Sequence, residues 1–149
     1  MTATRIIERA TGQSLEAISS DIVYPGQLLI PNSVAMISNV GNVGIILMLN
    51  NRDQIGSHVW IATEINLPSF CESSDEDTYP VGSIISIIAC LSGDKINART
   101  SLGVINPGMM ISYDTDNPGY VKKFDTSSTV CIGYAVESSI DGFVKMIVS

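Results

Sequence analysis

The residues that could take part in catalysis are few and widely separated. The chain contains a single histidine, His58, which stands beside Val59. Histidine is a common zinc ligand and a frequent general base, but both uses need partners at a defined spacing, and the sequence has no H-E-x-x-H segment. We therefore interpret His58 as a strand residue whose ring nitrogens are satisfied within the fold.

The acidic residues and serines also lack a catalytic arrangement. The run Glu72-Ser-Ser-Asp-Glu-Asp77 could supply oxygen ligands to a hard cation. It lacks the alternating spacing and the central glycine of a calcium loop, so we interpret it as a solvated acidic loop. No serine lies in a G-x-S-x-G elbow, and neither a P-loop nor a G-x-G-x-x-G segment is present. The sequence predicts no enzyme, no cofactor and no metal site, although carboxylates that converge only in the fold leave a small hydrolase open.

The composition indicates one globular, lightly charged domain. The chain has 149 residues, of which 45% are hydrophobic and 15% charged, where about 25% charged is usual. The net charge is −7, and only eight residues are basic. These basic residues are Arg5, Arg9, Arg52, Lys95, Arg99, Lys122, Lys123 and Lys145. Nucleic acid and acidic membrane surfaces are therefore predicted not to be partners, since both require clustered Lys and Arg.

The cysteines and the N-terminus predict a protein that is made in a cytoplasm and stays soluble. Cys71, Cys90 and Cys131 have no C-x-x-C spacing, so no disulfide framework is expected. Cys90 and Cys131 lie in apolar runs and are predicted to be small core residues. No secretion signal follows Met1, and the apolar run Val43–Leu49 is too short to span a bilayer.

Apolar runs alternate with Gly, Pro, Asn and Asp about every ten residues, which is typical of an all-β sandwich or barrel. The predicted strands are Leu28–Ile30, Val34–Ser38, Gly44–Leu49, His58–Ala62, Ser83–Leu91, Lys95–Thr100, Met109–Tyr113, Tyr120–Lys123, Thr129–Glu137 and Phe143–Val148. Two Pro-Gly pairs, Pro25-Gly26 and Pro107-Gly108, predict type II turns. The only helical signals are at Ser14–Ser19 and Thr4–Ala10.

Residues 1–20 differ from the remainder because they show no strong strand pattern. We predict that they form an extended N-terminal arm or a first edge strand, with terminal disorder as the alternative, and that residues 21–149 form a β domain. Arg5 and Arg9 on the arm are candidates for contact with a partner. Tyr24 and Tyr79 directly precede turn prolines, so we expect them near the surface and prefer them to Tyr134 as interface anchors.

An ordered set of segments from about Gly12 to Ser149 resembles the capsid decoration, or cement, proteins of bacteriophages. The segments are Gly12-Gln-Ser-Leu-Glu-Ala-Ile, Tyr24-Pro-Gly-Gln-Leu-Leu-Ile, Ile45–Leu49 with Asn50-Asn-Arg-Asp, Tyr79-Pro-Val-Gly, Cys90-Leu-Ser-Gly-Asp-Lys-Ile-Asn-Ala, Asn106-Pro-Gly-Met-Met-Ile-Ser, Gly119-Tyr-Val-Lys and Ile132-Gly-Tyr-Ala-Val-Glu. The acidic loop before Tyr79 departs from the family pattern, which puts the local contacts there in doubt.

The resemblance implies a compact β-barrel or β-tulip domain that forms a homotrimer. Such proteins sit on the outer surface of the capsid at three-fold or quasi-three-fold positions and clamp neighbouring subunits of the major capsid protein. The resemblance thus implies a structural virion protein that is assembled in the host cytoplasm and stabilises the mature shell. The alternative is a host-recognition module on the virion surface, either the base of a head fibre or a glycan-binding domain.

Overall fold

The computed structural model describes residues 5–19, 22–32, 43–47, 59–63, 77–101, 103–114, 116–126 and 131–149. Within these ranges the chain forms eleven strands and no helix. The strands are β1 (Ile7–Arg9), β2 (Gln13–Ser19), β3 (Leu28–Asn32), β4 (Val43–Leu47), β5 (Val59–Ala62), β6 (Ile84–Cys90), β7 (Lys95–Arg99), β8 (Met110–Tyr113), β9 (Val121–Lys123), β10 (Gly133–Ala135) and β11 (Phe143–Val148). The predicted all-β class is confirmed.

The strands form two groups. Six of them make an antiparallel sheet in the order β1-β7-β11-β10-β8-β9, here called the six-stranded sheet. The other five make a ring of pairings in the order β2-β4-β3-β5-β6, which closes because β6 also pairs with β2. Every pairing in this five-stranded ring is antiparallel except β2 with β4.

One hydrophobic core joins the two groups. Along β11 the side chains alternate, so that Val144 and Met146 face inward while Ile147 faces outward. The inward side chains of the sheet pack in the same cluster as Ile61 and Cys90 of the ring. A second, smaller cluster belongs to the ring and its adjoining turns, and contains Val23, Leu29, Ala62, Tyr79, Ile85 and Ile87. The shared cluster makes the described residues a single packing unit.

The two predicted Pro-Gly turns are present. Gly26 and Gly108 have φ values of +90° and +85°, which the third position of a type II turn requires. The Gln27 N–H donates to the Tyr24 carbonyl at 3.1 Å and the Met109 N–H to the Asn106 carbonyl at 3.2 Å. Each turn leads directly into a strand, as the sequence indicates.

The N-terminal region is built into the fold. The helix predicted at Ser14–Ser19 is wrong, because β2 pairs with β6 from Gln13 to Ile18 and also with β4. The alternative helix at Thr4–Ala10 is wrong as well, because β1 forms the edge of the six-stranded sheet and Ile6 is buried. Residues 6–19 therefore do not form a free arm. Instead β1 is an edge strand, which is the alternative that the sequence offers for this region. Removal of residues 6–19 would open the ring and expose part of the core.

The remaining strand predictions agree closely with the structure. Of the strand predicted at Thr129–Glu137, residues 129 and 130 lie outside the described residues, and within 131–137 the strand β10 covers Gly133–Ala135. The strand predicted at Val34–Ser38 lies outside the described residues, as do His58, Cys71 and Glu72 to Glu76 of the acidic loop.

Candidate docking surface

The turn at Ser92-Gly93-Asp94 is hydrogen-bonded to Thr11 and Gly12, which connect β1 to β2. The buried Asp94 carboxylate accepts hydrogen bonds from the Thr11 N–H at 2.8 Å, the Thr11 hydroxyl at 2.8 Å, the Gly12 N–H at 3.2 Å and the Leu91 N–H at 2.9 Å. Burial by itself would raise the pKa of Asp94, but the four hydrogen bonds outweigh it and hold the pKa below the ordinary 3.8. Asp94 is therefore an ionised structural anchor.

Asn97, three residues further along, positions β1 on the sheet edge. Its Nδ2 donates to the Arg5 carbonyl at 2.5 Å and to Glu8 Oε1 at 3.1 Å. The register between β1 and β7 shifts at this point, because Ile7 pairs with Ile96 whereas Arg9 pairs with Lys95. Two steps along β1, from Ile7 to Arg9, thus match one step along β7, from Ile96 to Lys95. The extra residue is a β-bulge, and it directs Arg9 to the outer face of the sheet.

On the outer face, one residue from each of five neighbouring strands lies in a single row, here called the outer row. The register pairs Arg9 with Lys95, Lys95 with Ile147, Ile147 with Tyr134, and Tyr134 with Met110. Residues directly opposite in antiparallel strands project from the same face. The row thus has a basic end at Arg9 and Lys95 and an apolar end at the other three residues.

The apolar end of the outer row is well exposed. Tyr134 is 46% exposed, and Met110 and Ile147 are each 41% exposed. Beyond Met110 lies a cleft of about 380 Å³, lined by Met109, Met110, Lys123, Phe124, Asp125 and Thr126. Large apolar side chains gathered on one face in this way are typical of surfaces that bind a partner.

The row next to the outer row is polar, and its charged side chains form ion pairs with one another. Lys145 Nζ lies 3.4 Å from Glu137 Oε1 and 3.7 Å from Glu8 Oε1. Asn97 stands directly opposite Lys145 and is buried. At the far end of the face, the Arg99 guanidinium lies over the rings of Tyr24 at 4.9 Å and Phe143 at 4.7 Å. Among the described residues, apolar exposure on this face lies in the outer row and at Ile140, which is 71% exposed in a pocket that Asn97 and Lys145 also line.

The structure brings only Arg9 of the four predicted interface residues into the outer row. Arg5 is exposed and its Nε donates to the Ile7 carbonyl at 3.0 Å. Tyr24 is half-buried against Arg99. The expectation that Tyr79 lies near the surface is wrong, because it is 7% exposed, its hydroxyl donates to the Thr63 carbonyl at 3.1 Å, and its backbone bridges to Val23.

Tyr134 is the residue that sequence reasoning undervalues. The sequence favours Tyr24 and Tyr79 over it as anchors, yet Tyr134 is the most exposed of the three apolar side chains in the outer row. A signal is present in Gly133-Tyr134-Ala135, because two small residues that face inward leave the tyrosine between them on the outer face.

A second buried carboxylate, Asp114, shapes a loop beside the sheet. It accepts hydrogen bonds from the Ser101 hydroxyl, the Asp116 N–H and the Asn117 Nδ2. Burial would raise the pKa of Asp114, but these bonds and the charge of Lys122 lower it below 3.8. Asp116 and Asn117 belong to the same turn as Asp114, whereas Ser101 follows β7, so the carboxylate links this turn to the segment after β7.

Two features are absent from the described ranges: a metal-ligating cluster and a helix able to cross a membrane. These ranges contain no group of three or more His, Cys, Asp or Glu side chains that could hold a metal ion. They also contain no helix of the length and hydropathy needed to cross a membrane.

Known proteins include one of similar fold, but no known family matches this chain. No protein-family model matches the chain, and no curated protein matches it. Among solved structures, the chain is similar to the head fiber gp8.5 N base of bacteriophage phi29, with 18% sequence identity and a TM-score of 0.54. The match covers 92% of this chain and 93% of that chain. The likeness is one of fold, and it extends over nearly the whole length of both chains.

Proposed function

We propose that this chain is a structural protein of a bacteriophage virion, attached to the outside of the head. The observation that carries the proposal is the shared fold with a phage head fiber base over more than nine-tenths of both chains. The resemblance of the segments between Gly12 and Ser149 to phage decoration proteins supports the same conclusion independently. A net charge of −7 suits the outside of a DNA-filled shell better than its inside.

In its more specific form, the proposal is a decoration protein that binds the mature shell as a homotrimer. A protein that binds only the expanded lattice stabilises it by RT ln(1 + [L]/Kd) per site, about 2.7 kcal/mol when its free concentration is a hundredfold above Kd. Three copies of the same contact in one trimer would give tight attachment from weak individual sites. No catalytic step is part of this function.

The second candidate is the base of a head fibre or a glycan-binding module. The fibre base is favoured because the similar phage protein is itself a head fiber N base. A fibre base needs to hold on to the shell but has no need to stabilise it, whereas a decoration protein must do both. The thermal stability of the shell therefore separates the two functions.

The test is co-sedimentation of the purified protein with undecorated mature capsids of its phage, followed by heating. Saturable binding that raises the disruption temperature of the capsid supports decoration. Saturable binding with an unchanged disruption temperature supports a fibre base. Absence of binding at micromolar protein contradicts both capsid-bound functions, and glycan-array binding would then identify a host-recognition module.

A further inference from the structure

We propose that the outer row is the surface that docks onto the capsid, and that its partner is an acidic protein surface carrying an adjoining apolar patch. The inference rests on the proposed function and specifies the chemistry of the contact. In this arrangement, carboxylates of the partner face Arg9 and Lys95 while its apolar side chains pack on Ile147, Tyr134 and Met110.

The apolar half of the outer row is exposed and continuous. Ile147, Tyr134 and Met110 are aligned across three neighbouring strands and are each more than 40% exposed. Tyrosine contributes large binding energies at interface centres because its ring packs tightly and loses little conformational entropy on binding. The adjacent Glu8 and Lys145 side chains, which are partly exposed, would then form the polar rim of the contact.

Two positive charges lie side by side at the other end of the outer row. Arg9 and Lys95 are directly opposite in the register, and like charges in such positions destabilise a sheet. Within the described part of the chain neither has an ion-pair partner, although carboxylates outnumber basic groups by 15 to 8 in the whole sequence. Two cations that form no ion pair with the described residues are complementary to an acidic partner.

The bulge in β1 determines the face of the sheet from which Arg9 projects. With a regular register, Arg9 would project to the same side as Ile7, which packs against the core. The extra residue places Arg9 on the outer face beside Lys95 instead. Bulges are frequent at sheet edges where a side chain is re-aimed for function. The local backbone is thus arranged to build the basic pair.

The experiment measures binding of purified protein to purified capsids, at low and at high NaCl, for the wild type and matched variants. Tyr134→Ala is expected to raise Kd at least tenfold. The double variant Arg9→Gln, Lys95→Gln is expected to raise Kd at least threefold at low salt and to flatten the salt dependence, because the screened charges are gone. Ile84→Ala, at a 58% exposed position on the ring, and Arg5→Gln are the apolar and charge controls, with Kd expected within twofold of wild type.

Each outcome decides between the possibilities. If the wild type binds but the outer-row variants bind equally well, or if the controls lose as much affinity, the docking surface is wrong and the proposed function stands. If the wild type does not bind, the proposed function fails and the inference fails with it. If Tyr134→Ala instead dissociates an oligomer in sedimentation velocity, the outer row joins copies of this chain, which overturns the inference. Unchanged circular dichroism of the variants controls for folding.

Discussion

Individual polar residues in this protein hold strands together, and Asp94 is the clearest case. Its carboxylate accepts hydrogen bonds from three backbone N–H groups and one hydroxyl. These donors belong to Thr11 and Gly12, between β1 and β2, and to Leu91, directly after β6. In the sequence, the Cys90-Leu-Ser-Gly-Asp-Lys-Ile-Asn-Ala segment stands out only as part of a family resemblance. In the structure, Asp94 of this segment hydrogen-bonds to Thr11 and Gly12 before β2, and Asn97 hydrogen-bonds to Arg5 and to Glu8 of β1.

Asp94→Asn should lower the free energy of unfolding by about 2 kcal/mol at neutral pH, because hydrogen bonds to a charged group are lost. The lowered pKa in the folded state means that this stabilisation is present above the unfolded value near 3.8 and disappears as the pH falls through the folded pKa. Urea unfolding at several pH values measures the difference between wild type and variant.

The exposed Asp116 provides the control for this prediction. Asp116→Asn should leave the free energy of unfolding within about 0.5 kcal/mol of wild type. A gap between wild type and Asp94→Asn that stays constant down to a pH of about 2, well below the ordinary carboxyl pKa, would contradict the role assigned to the ionised carboxylate.

Cys90 should be chemically inert in the folded protein. Burial, with a further contribution from Asp94, raises the pKa of its thiol to about 12, and the thiolate is the reactive form. After iodoacetamide treatment at a pH of about 8, peptide mass spectrometry should find Cys90 unmodified under native conditions and modified in denaturant. The half-buried Cys131 serves as the internal comparison. Native labelling of Cys90 at the denatured rate would show that β6 opens readily.

At the scale of elements, the sequence predicts the strands from β3 onward because their apolar runs are bounded by turn residues with defined dihedral preferences. It offers β1 only as the edge-strand alternative for residues 1–20 and misses β2, because the pairing of both strands depends on distant partners. Gln13–Ser19 has no strong β pattern of its own and becomes a strand by pairing with β6 and β4. The outer row is unpredictable for the same reason, since it consists of residues brought into line only by the sheet register.

Gly12→Ala tests how tightly β2 is packed at its start. A Cβ at position 12 would lie 1.8 Å from the Ala89 carbonyl oxygen, so β2 or β6 must move. We expect a loss of about 3 kcal/mol in the free energy of unfolding, at the upper end of overpacking effects.

The control is Gly108→Ala, where the added Cβ meets nothing within 4 Å and only the positive φ is unfavourable. That change should cost about 1 kcal/mol. Chemical denaturation of both variants is sufficient, and a smaller loss for Gly12→Ala than for Gly108→Ala would contradict the close approach of the two strands.

At the scale of the whole molecule, the sheet and the ring share one core, so they should unfold together. Met146→Ala removes a buried side chain from the sheet and should cost about 3 kcal/mol. The single tryptophan, Trp60, lies in the ring and reports on it by fluorescence. The fluorescence midpoint in urea should therefore shift as far as the midpoint from circular dichroism.

Ile147→Ala, one residue away on the exposed face, should shift both midpoints much less, because its side chain already contacts water. A change in the circular dichroism midpoint of Met146→Ala without a matching change in Trp60 fluorescence would show that the sheet and the ring unfold as separate units.

Attachment of the whole molecule to the capsid can be observed directly. We would determine the cryo-electron microscopy reconstruction of the phage capsid with and without saturating amounts of this protein. Additional three-fold density is expected on the outer surface of the shell, with the face of the six-stranded sheet that carries Tyr134 turned towards the capsid protein. A reconstruction with no added density on the outer surface, at micromolar concentrations of the protein, would contradict attachment to the outside of the capsid.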